Sequence, residues 1–560
     1  MAIHNNLLAL GVLAFIGLNY LILKIYRHRS HVNRLRKQGV CITPGWSWVT
    51  GHLLVFARYA RKFPRDITMA IVMNEMCLEF PKTETFIVDL WPFMNVAIMT
   101  YNAEAGLLVT SKYNLPKSPT TLDTVKAIAG GPNILTMNGS DWKYWRSLLN
   151  PGFSAASLVD HTSFIVDSVN VFCRALEEKA EKGIILLDDY AVKLTFDVIM
   201  KVVMDADINY QTSDHPFALA LANTEAAPSV FEARKFNPLR PIREWYNGYK
   251  MQNFVTKSVK KRFEEMKLER LVSSNKKRTS QAKSVVGMTL DSYFNEMSSK
   301  QSLEGVELAP GFLNVVAYQT RMFLLAGNDT TSSTIVFIYN TIARNPEVAA
   351  QLRQEHETVF GPDVSTIGAQ LKAKPALLND CRYTLAVIKE TLRLYPPVAI
   401  NMRAGLPNVS IPTLDGDKVP TEGCSVMVQP YAMQINPRIW VRPKEFLPER
   451  WLVSSDHELY PPPNAYRPFD IGPRACIGQQ LTLNEMRIVV IMTMRRFDIK
   501  PAYDEFDELA RKNLGLLGKL KRGIVGEGIK TFDGDRAYQT VKTGTHPSDS
   551  YPCRIELLKG

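Results

Sequence analysis

The sequence predicts a mainly α-helical protein with a minor β region, preceded by a single N-terminal transmembrane helix. Three observations lead to this fold class: an N-terminal apolar run of about 20 residues, several long stretches with helical spacing, and strand-like segments that are short and few. The chain has 560 residues, of which 46% are hydrophobic, and no Gly/Ser-rich or Pro-rich linker follows residue 50. We therefore expect one large domain with a continuous core.

The N-terminal apolar run covers residues 7–23, and the residues that follow it are basic: Lys24, Arg27, Arg29, Arg34, Arg36 and Lys37. A cleaved signal peptide has the reverse order, with basic residues before the apolar run. We expect a retained signal-anchor at residues 1–26, a basic linker containing Pro44-Gly45 at 27–50, and the main domain at 51–560. Because the positive flank stays cytoplasmic, the domain is expected in the cytosol.

The remaining elements follow from local patterns. Helical spacing predicts helices at residues 53–63, 155–210 (two helices), 241–271 and 311–343. Runs of β-branched and apolar residues predict strands at residues 86–90 and 95–100 and near 407–428 and 538–557. The polar, basic residues 273–280 predict an exposed loop.

Charge and cysteine usage limit the partners and the compartment. The net charge is +12, spread along the chain without a nucleic-acid-binding motif. This favours a membrane surface or an acidic protein partner over nucleic acid, although a merely solvated basic surface explains it equally simply. The seven cysteines are scattered and odd in number, which indicates a reducing compartment and no disulfide framework.

One cysteine, Cys476, lies between two glycines in the stretch FDIGPRACIG at residues 469–478, just before a predicted helix. Backbone N–H groups and a helix N-terminus stabilise a thiolate, which is the form that binds a metal. Phe469 is suited to pack on a flat apolar cofactor, and Arg474 to meet an anionic group at its edge. For a lone cysteine, a buried structural role is the commoner explanation.

A polar run, AGNDTT, interrupts the apolar stretch 311–343 at residues 326–331. Such a cluster is costly in a buried helix. Thr330 can bond the carbonyl of Ala326 and open the helix locally, and the small residues Ala326 and Gly327 leave room for a ligand. Asp329 and Thr330 would then form an acid–alcohol pair that delivers protons. A loop between two shorter helices is the alternative.

Two further pairs have helical spacing. Trp142 and Arg146 share one helix face and suit a buried anion, although an ordinary amphipathic helix has the same spacing. Glu390 and Arg393, in the stretch ETLR, are followed by PERW at residues 448–451, which contains Arg450. The spacing of Glu390 and Arg393 suits an ion pair but is weak evidence by itself, since Glu508 and Arg511 have the same spacing.

The four stretches AGNDTT, ETLR, PERW and FDIGPRACIG occur in the order in which cytochrome P450 proteins carry them, and the chain resembles that family from the anchor to near its C-terminus. The resemblance implies the cytochrome P450 fold, a triangular and mostly helical domain. It implies haem b bound between the helix at 311–343 and the cysteine loop, with Cys476 as the iron ligand. It also implies propionate contacts from four residues: Trp142, Arg146, Arg403 and Arg474. The stretches ETLR and PERW resemble the family's structural ion network, which would join Glu390, Arg393 and Arg450.

The resemblance further implies a haem-thiolate monooxygenase that inserts one oxygen atom of O2 into a lipophilic small molecule, with Thr330 and Asp329 relaying protons. Electrons would come from NADPH through an NADPH-cytochrome P450 reductase, with cytochrome b5 as a further partner, at the endoplasmic reticulum membrane. Ala537-Tyr-Gln and His546-Pro-Ser-Asp resemble filamentous-fungal members and favour secondary metabolism. Two alternatives remain: a haem-thiolate isomerase or dehydratase that needs no reductase, and a non-catalytic haem protein tethered to the membrane.

Overall fold

The computed structural model describes residues 2–225, 239–272, 284–299, 302–512 and 528–558. The loop predicted at residues 273–280 lies outside these ranges. Helices dominate the described part of the chain, and they are, in order, α1 Ala2–Lys37, α2 Leu53–Ala60, α3 Met69–Cys77, α4 Ala103–Leu107, α5 Pro119–Ala129, α6 Gly139–Leu149, α7 Ala155–Lys179, α8 Leu187–Met204, α9 Pro216–Glu225, α10 Arg240–Val272, α11 Val285–Ser298, α12 Pro310–Ala343, α13 Pro346–Phe360, α14 Ile367–Ala373, α15 Arg382–Leu394, α16 Pro430–Gln434, α17 Gln479–Thr493 and α18 Tyr503–Lys512.

The strands are short and form three small sheets in the described residues. They are β1 Thr85–Val88, β2 Ala97–Thr100, β3 Ile185–Leu186, β4 Asn401–Ala404, β5 Ser410–Pro412, β6 Lys418–Pro420, β7 Ser425–Val428, β8 Phe497–Pro501 and β9 Pro552–Leu557. The largest sheet has the order β1-β2-β7-β4, in which the β2–β7 pair is parallel and the other two pairs are antiparallel. This register places Arg403 opposite Val426 and brings β4 to the site described below. The predicted fold class, mainly helical with a minor β region, is confirmed.

The helix predicted at residues 311–343 is a single continuous α-helix, α12, which is not broken into two helices by a loop. It lies in the larger of two apolar cores and packs most extensively against α8. Gly327 is the point of close approach, since a Cβ there would lie 2.5 Å from Cδ1 of Ile199 on α8. A glycine is therefore needed at this position for α8 to pack against α12, and the expectation that Gly327 leaves room for a ligand stays a prediction.

The apolar N-terminal helix continues without a break beyond the predicted span. Helix α1 contains a candidate membrane span at Leu10–Lys37, but its last turns pack on the domain, where Val32 and Leu35 are buried. Arg29, only 1% exposed, forms an ion pair with the buried Asp89. The first part of the predicted linker at residues 27–50 is thus helical and docked against the smaller, sheet-based core.

A fully buried ion network joins α15 to the segment that precedes the cysteine loop. The carboxylate of Glu390 accepts hydrogen bonds from Nη2 and Nε of Arg393, at 2.7 and 3.0 Å, and from Nε of Arg450 at 3.2 Å. The indole N–H of Trp451 adds a fourth bond at 3.1 Å. The predicted contacts among these three charged residues are confirmed.

We expect Glu390→Ala to destabilise the protein by about 3–5 kcal/mol, because it leaves two buried guanidinium groups without their counter-charge. The measurement is the denaturant midpoint of the full chain. Glu508→Ala is the matched control: Glu508 has the same spacing to Arg511 but is exposed on α18, so its loss should change stability by less than about 0.5 kcal/mol. Equal midpoints for the two variants would contradict this role for Glu390.

Candidate active site

The cysteine loop is closed by its own backbone and ends directly at α17. The N–H of Cys476 donates to the carbonyl of Phe469 at 2.9 Å, and the N–H of Ala475 donates to Gly472 at 2.9 Å. Gly472 has a φ of +98°, and a Cβ at this position would lie 2.5 Å from the carbonyl oxygen of Thr110. A glycine is therefore required where the loop touches the neighbouring π-helix Leu108–Lys112.

Cys476 differs from the other six cysteines because its side chain is exposed, whereas those six are buried or half-buried. Protein atoms nevertheless surround the thiol closely. Burial raises its pKa, while the backbone N–H of Gly478, the positive charge of Arg146 and the N–H of Gln479 lower it. Burial is the larger effect, so the pKa of Cys476 is raised overall, and these three groups are the ones that would stabilise the thiolate form that binds a metal.

Three of the predicted anion-binding residues pack together beside the cysteine loop. The guanidinium of Arg474 lies 4.5 Å above the ring of Trp142 on α6, a cation–π contact. One of its nitrogens, Nη2, donates to the carbonyl of Met137 at 2.8 Å. Arg146, four residues after Trp142, is close enough for its charge to lower the pKa of Arg474.

The fourth, Arg403, is fully buried on β4 and donates from Nη2 to Asp470 at 3.1 Å. The Nε and Nη1 atoms of both Arg403 and Arg474 are buried without a partner. Burial, then the charges of Arg403 and Arg146, lower the pKa of Arg474 to about 10. Buried cationic donors without acceptors are costly, and the two carboxylates of haem would satisfy them. The residues present therefore fit the group that the sequence motifs imply.

Lys117 belongs to the same cationic cluster, and sequence reasoning missed it. Its Nζ donates to Asn401 at 3.2 Å, and the carbonyl of Pro116 binds the N–H of Ala404, so the segment before α5 lies along β4. Burial and then the charge of Arg403 lower the pKa of Lys117 to about 7. Nothing in the spacing of the sequence connects residue 117 with this strand, which is almost 300 residues away.

Phe469 lies half-buried at the base of the loop and packs against the larger apolar core. Its carbonyl oxygen closes the loop, as described above. The predicted contact of its ring with a cofactor remains an expectation.

The predicted hydrogen bond of Thr330 is present. Its hydroxyl donates to the carbonyl of Ala326 at 2.8 Å, but α12 stays regular, so the expected local opening is absent. Ala326, Gly327 and Thr330 are the half-buried residues in an otherwise buried stretch of α12 from 322 to 342. Thr331 next to them meets Thr482 of α17 at 3.4 Å. The accessible strip of α12 thus lies beside the helix that begins at the cysteine loop.

Asp329 is placed differently from the prediction. Its side chain is buried and does not form an open pair with Thr330. Instead its Oδ1 lies 2.9 Å from Nε2 of His546 in the C-terminal loop. Gly544 of the same loop, with a φ of +66°, approaches so closely that a Cβ would lie 2.5 Å from Oδ2 of Asp329. Sequence reasoning noted the stretch His546-Pro-Ser-Asp but assigned it no partner.

The second nitrogen of His546, Nδ1, lies 2.5 Å from Oδ1 of Asp188 on α8. Burial lowers the pKa of His546, but the two carboxylates outweigh burial and raise it to about 10. His546 is therefore a buried cation that links α8, α12 and the C-terminal loop.

Comparison with known proteins agrees with this geometry. The family model described as Cytochrome P450 matches residues 48–524. The chain is 33% identical to cytochrome P450 monooxygenase polC of Polytolypa hystricis (strain UAMH7299), over 98% of this chain and 95% of that protein. It is 28% identical to cytochrome P450 monooxygenase acrF of Aspergillus aculeatus, over 88% of this chain and 98% of that protein.

A solved structure, the crystal structure of cytochrome P450DA heme domain, superimposes with a TM-score of 0.67 at 18% identity. The match covers 93% of this chain and 98% of that one and shows the same fold. The chain belongs to the cytochrome P450 family, and it is a monooxygenase of that family.

Proposed function

We propose that this monooxygenase is anchored in the endoplasmic reticulum membrane, holds haem b through the Cys476 thiolate, and inserts one oxygen atom of O2 into a lipophilic small molecule. The observation that carries the ligand assignment is the exposure of Cys476, which sets it apart from six buried or half-buried cysteines. The N–H groups of Gly478 and Gln479 and the charge of Arg146 support its thiolate.

Haem bound at this site would supply the activation of O2 and the oxygen transfer itself. The chain supplies orientation. The unpartnered nitrogens of Arg403 and Arg474 would bind the propionates, with Arg146 and Lys117 adding positive charge. Trp142 would keep the guanidinium of Arg474 in place by stacking.

Thr330 and Asp329 would move the protons that the reaction consumes. Thr330 lies on the accessible strip of α12, and its hydroxyl can exchange its bond to Ala326 for a bond to a ligand. Asp329 is the adjacent acid, which His546 holds in the structure.

The substrate and partners are inferred from chemistry. The buried, apolar side chains of Met322 and Leu325 on α12 favour a lipophilic substrate. Relatives from Polytolypa hystricis and Aspergillus aculeatus favour a step of fungal secondary metabolism. Electrons would come from an NADPH-cytochrome P450 reductase, with cytochrome b5 as a second donor.

Cys476→Ser is expected to abolish the thiolate-type spectrum of the reduced, carbon-monoxide-bound protein, because a hydroxyl does not replace a thiolate on haem iron. Cys424→Ser is the matched control, since the thiol of Cys424 is buried 3.5 Å from His31. This control should keep the spectrum. An unchanged spectrum in Cys476→Ser would exclude Cys476 as the ligand.

Thr330→Ala is expected to raise several-fold the hydrogen peroxide released per NADPH consumed, because proton delivery to the site is interrupted. Thr320→Ala removes a matching bond, from Oγ1 of Thr320 to the carbonyl of Val316 at 2.8 Å. It lies outside the accessible strip and should leave the ratio unchanged. Full coupling in Thr330→Ala would count against the relay.

The substrate can be found by incubating membranes that contain this protein, a reductase and NADPH with a metabolite extract of the native host. We expect one compound to gain one oxygen atom in an NADPH-dependent manner, as read by mass spectrometry. An isomer formed without NADPH would instead assign an isomerase.

A further inference from the structure

A cavity of about 240 Å³ lies where α15, α17 and the segment around Trp451 meet. The described residues that line it belong neither to the cysteine loop, nor to the cationic cluster of Arg403, Arg474 and Lys117, nor to the accessible strip of α12. Pockets for drug-sized ligands measure about 300–1,000 Å³. This cavity is therefore separate from the candidate active site and suits a smaller molecule.

Three cationic side chains line the cavity, and none of its described lining residues is acidic. Lys389 and Arg382 lie on α15, and Arg487 lies on α17. Burial and then the charge of Arg487 lower the pKa of Lys389. Like charges thus act on each other across the cavity, and a bound anion would relieve their repulsion.

The cations differ in the hydrogen-bond donors that they leave for a ligand. The guanidinium of Arg487 donates to the carbonyl oxygens of Leu378 at 3.0 Å and Leu483 at 3.3 Å, so it contributes charge more than free donors. The ammonium of Lys389 lies 5.5 Å from the ring centroid of Trp451. In the part of the chain that the structure describes, it has no hydrogen-bond acceptor and no counter-ion. Lys389 is therefore the donor available to a ligand.

Two carboxylates act on the cavity wall without lining it, since the charges of Glu355 and Asp380 raise the pKa of the lining residue Cys381. Glu355 is already engaged: its two oxygens accept from the N–H of Tyr383 at 2.6 Å and from the N–H of Thr384 at 2.9 Å. Asp380 is exposed beside the start of α15. The positive charge inside the cavity is thus left for a ligand.

The rest of the wall is largely apolar. Leu378 is buried, Leu385 is half-buried, and Leu452 is 46% exposed at the rim. The indole ring of Trp451 adds a further apolar surface. A ligand that fits such a wall has one anionic group and an apolar body, because charge alone would leave the leucines uncovered.

We propose that this cavity is a binding site for a small organic carboxylate, whose anionic group pairs with Lys389 and Arg382 and whose apolar body lies against Leu385, Leu452 and Trp451. The concave shape favours a small molecule over the acidic side chain of a protein partner.

Occupancy of this site would reach the buried ion network. Nε1 of Trp451 donates to Oε2 of Glu390 at 3.1 Å, and Lys389 precedes Glu390 on α15. A ligand that orders Lys389 and Trp451 also holds α15 against the segment that contains Trp451. Since such a ligand binds the folded state alone, it raises the melting temperature of the protein.

The test uses the full chain with haem and para-(trifluoromethyl)benzoate as the probe, followed by fluorine NMR line broadening. We expect saturable binding without a change of the haem spectrum, and weaker binding of the neutral para-(trifluoromethyl)benzamide. Lys389→Gln should weaken benzoate binding about tenfold, the size expected for a charge-assisted hydrogen bond. Lys374→Gln is the matched control, because Lys374 is exposed outside the lining and carries the same charge.

The melting temperature provides a second readout. It should rise with benzoate concentration in wild type and in Lys374→Gln, but not in Lys389→Gln. Equal benzoate affinity in wild type and Lys389→Gln would overturn the proposal, as would binding that shifts the haem spectrum. If Lys389→Gln does not fold, unchanged affinity in both Arg382→Gln and Leu452→Trp overturns it.

A different occupant would give a different pattern. If wild type binds no benzoate and Lys389→Gln slows reduction by the reductase, the cations serve an acidic protein partner and the proposal is wrong.

Discussion

Helix α12 carries a run of polar side chains at residues 328–333 through the middle of an apolar core, and its neighbours must satisfy that run. Thr195 of α8 donates to the side-chain oxygen of Asn328 at 2.6 Å, and His546 binds Asp329. Thr330 bonds within the helix, to Ala326. Most polar groups of the run have a partner, although the Oγ of Ser333 is buried without one. The elements that provide these partners are fixed in position around the continuous helix.

The need of buried polar groups for partners also shapes the charge around the candidate site. The cysteine loop offers N–H groups to Cys476, and the cluster of Arg403, Arg474 and Lys117 keeps positive charge close by. On another side of α12, His546 joins the carboxylates of Asp188 and Asp329. The groups that would stabilise a thiolate and bound carboxylates are thus separate from the buried ion pairs that hold Asp329.

The part of this structure that follows local spacing could be predicted from the sequence. The bond from Thr330 to Ala326 spans four residues, and Glu390 with Arg393 spans three, so both follow from helix geometry once the helix is recognised. Arg450 was found through its motif. The long helices were predicted for the same reason, because their apolar faces repeat along the chain.

What could not be predicted depends on pairs far apart in sequence. His546 and Asp329 are 217 residues apart, and Lys117 and Asn401 are 284 apart. No periodicity encodes such contacts, since they depend on how α5, α8, β4 and the C-terminal loop pack. Gly327 shows the same limit: a glycine in a helix signals close approach, but only the packing shows that Ile199 is the approaching group.

The contact between the apolar span of α1 and the domain also depends on two residues that are far apart in sequence. Since Arg29 is paired with Asp89 and belongs to the same continuous helix as the apolar span, the span and the domain cannot rotate freely against each other. Aromatic side chains gather at this junction: Tyr26 stacks on Trp48, and Trp46 donates to Asp89 at 2.8 Å. Tryptophan and tyrosine prefer the boundary between lipid and water. The buried ion pair therefore fixes the orientation of the domain relative to the apolar span. The aromatic residues favour a position of this junction at the membrane surface.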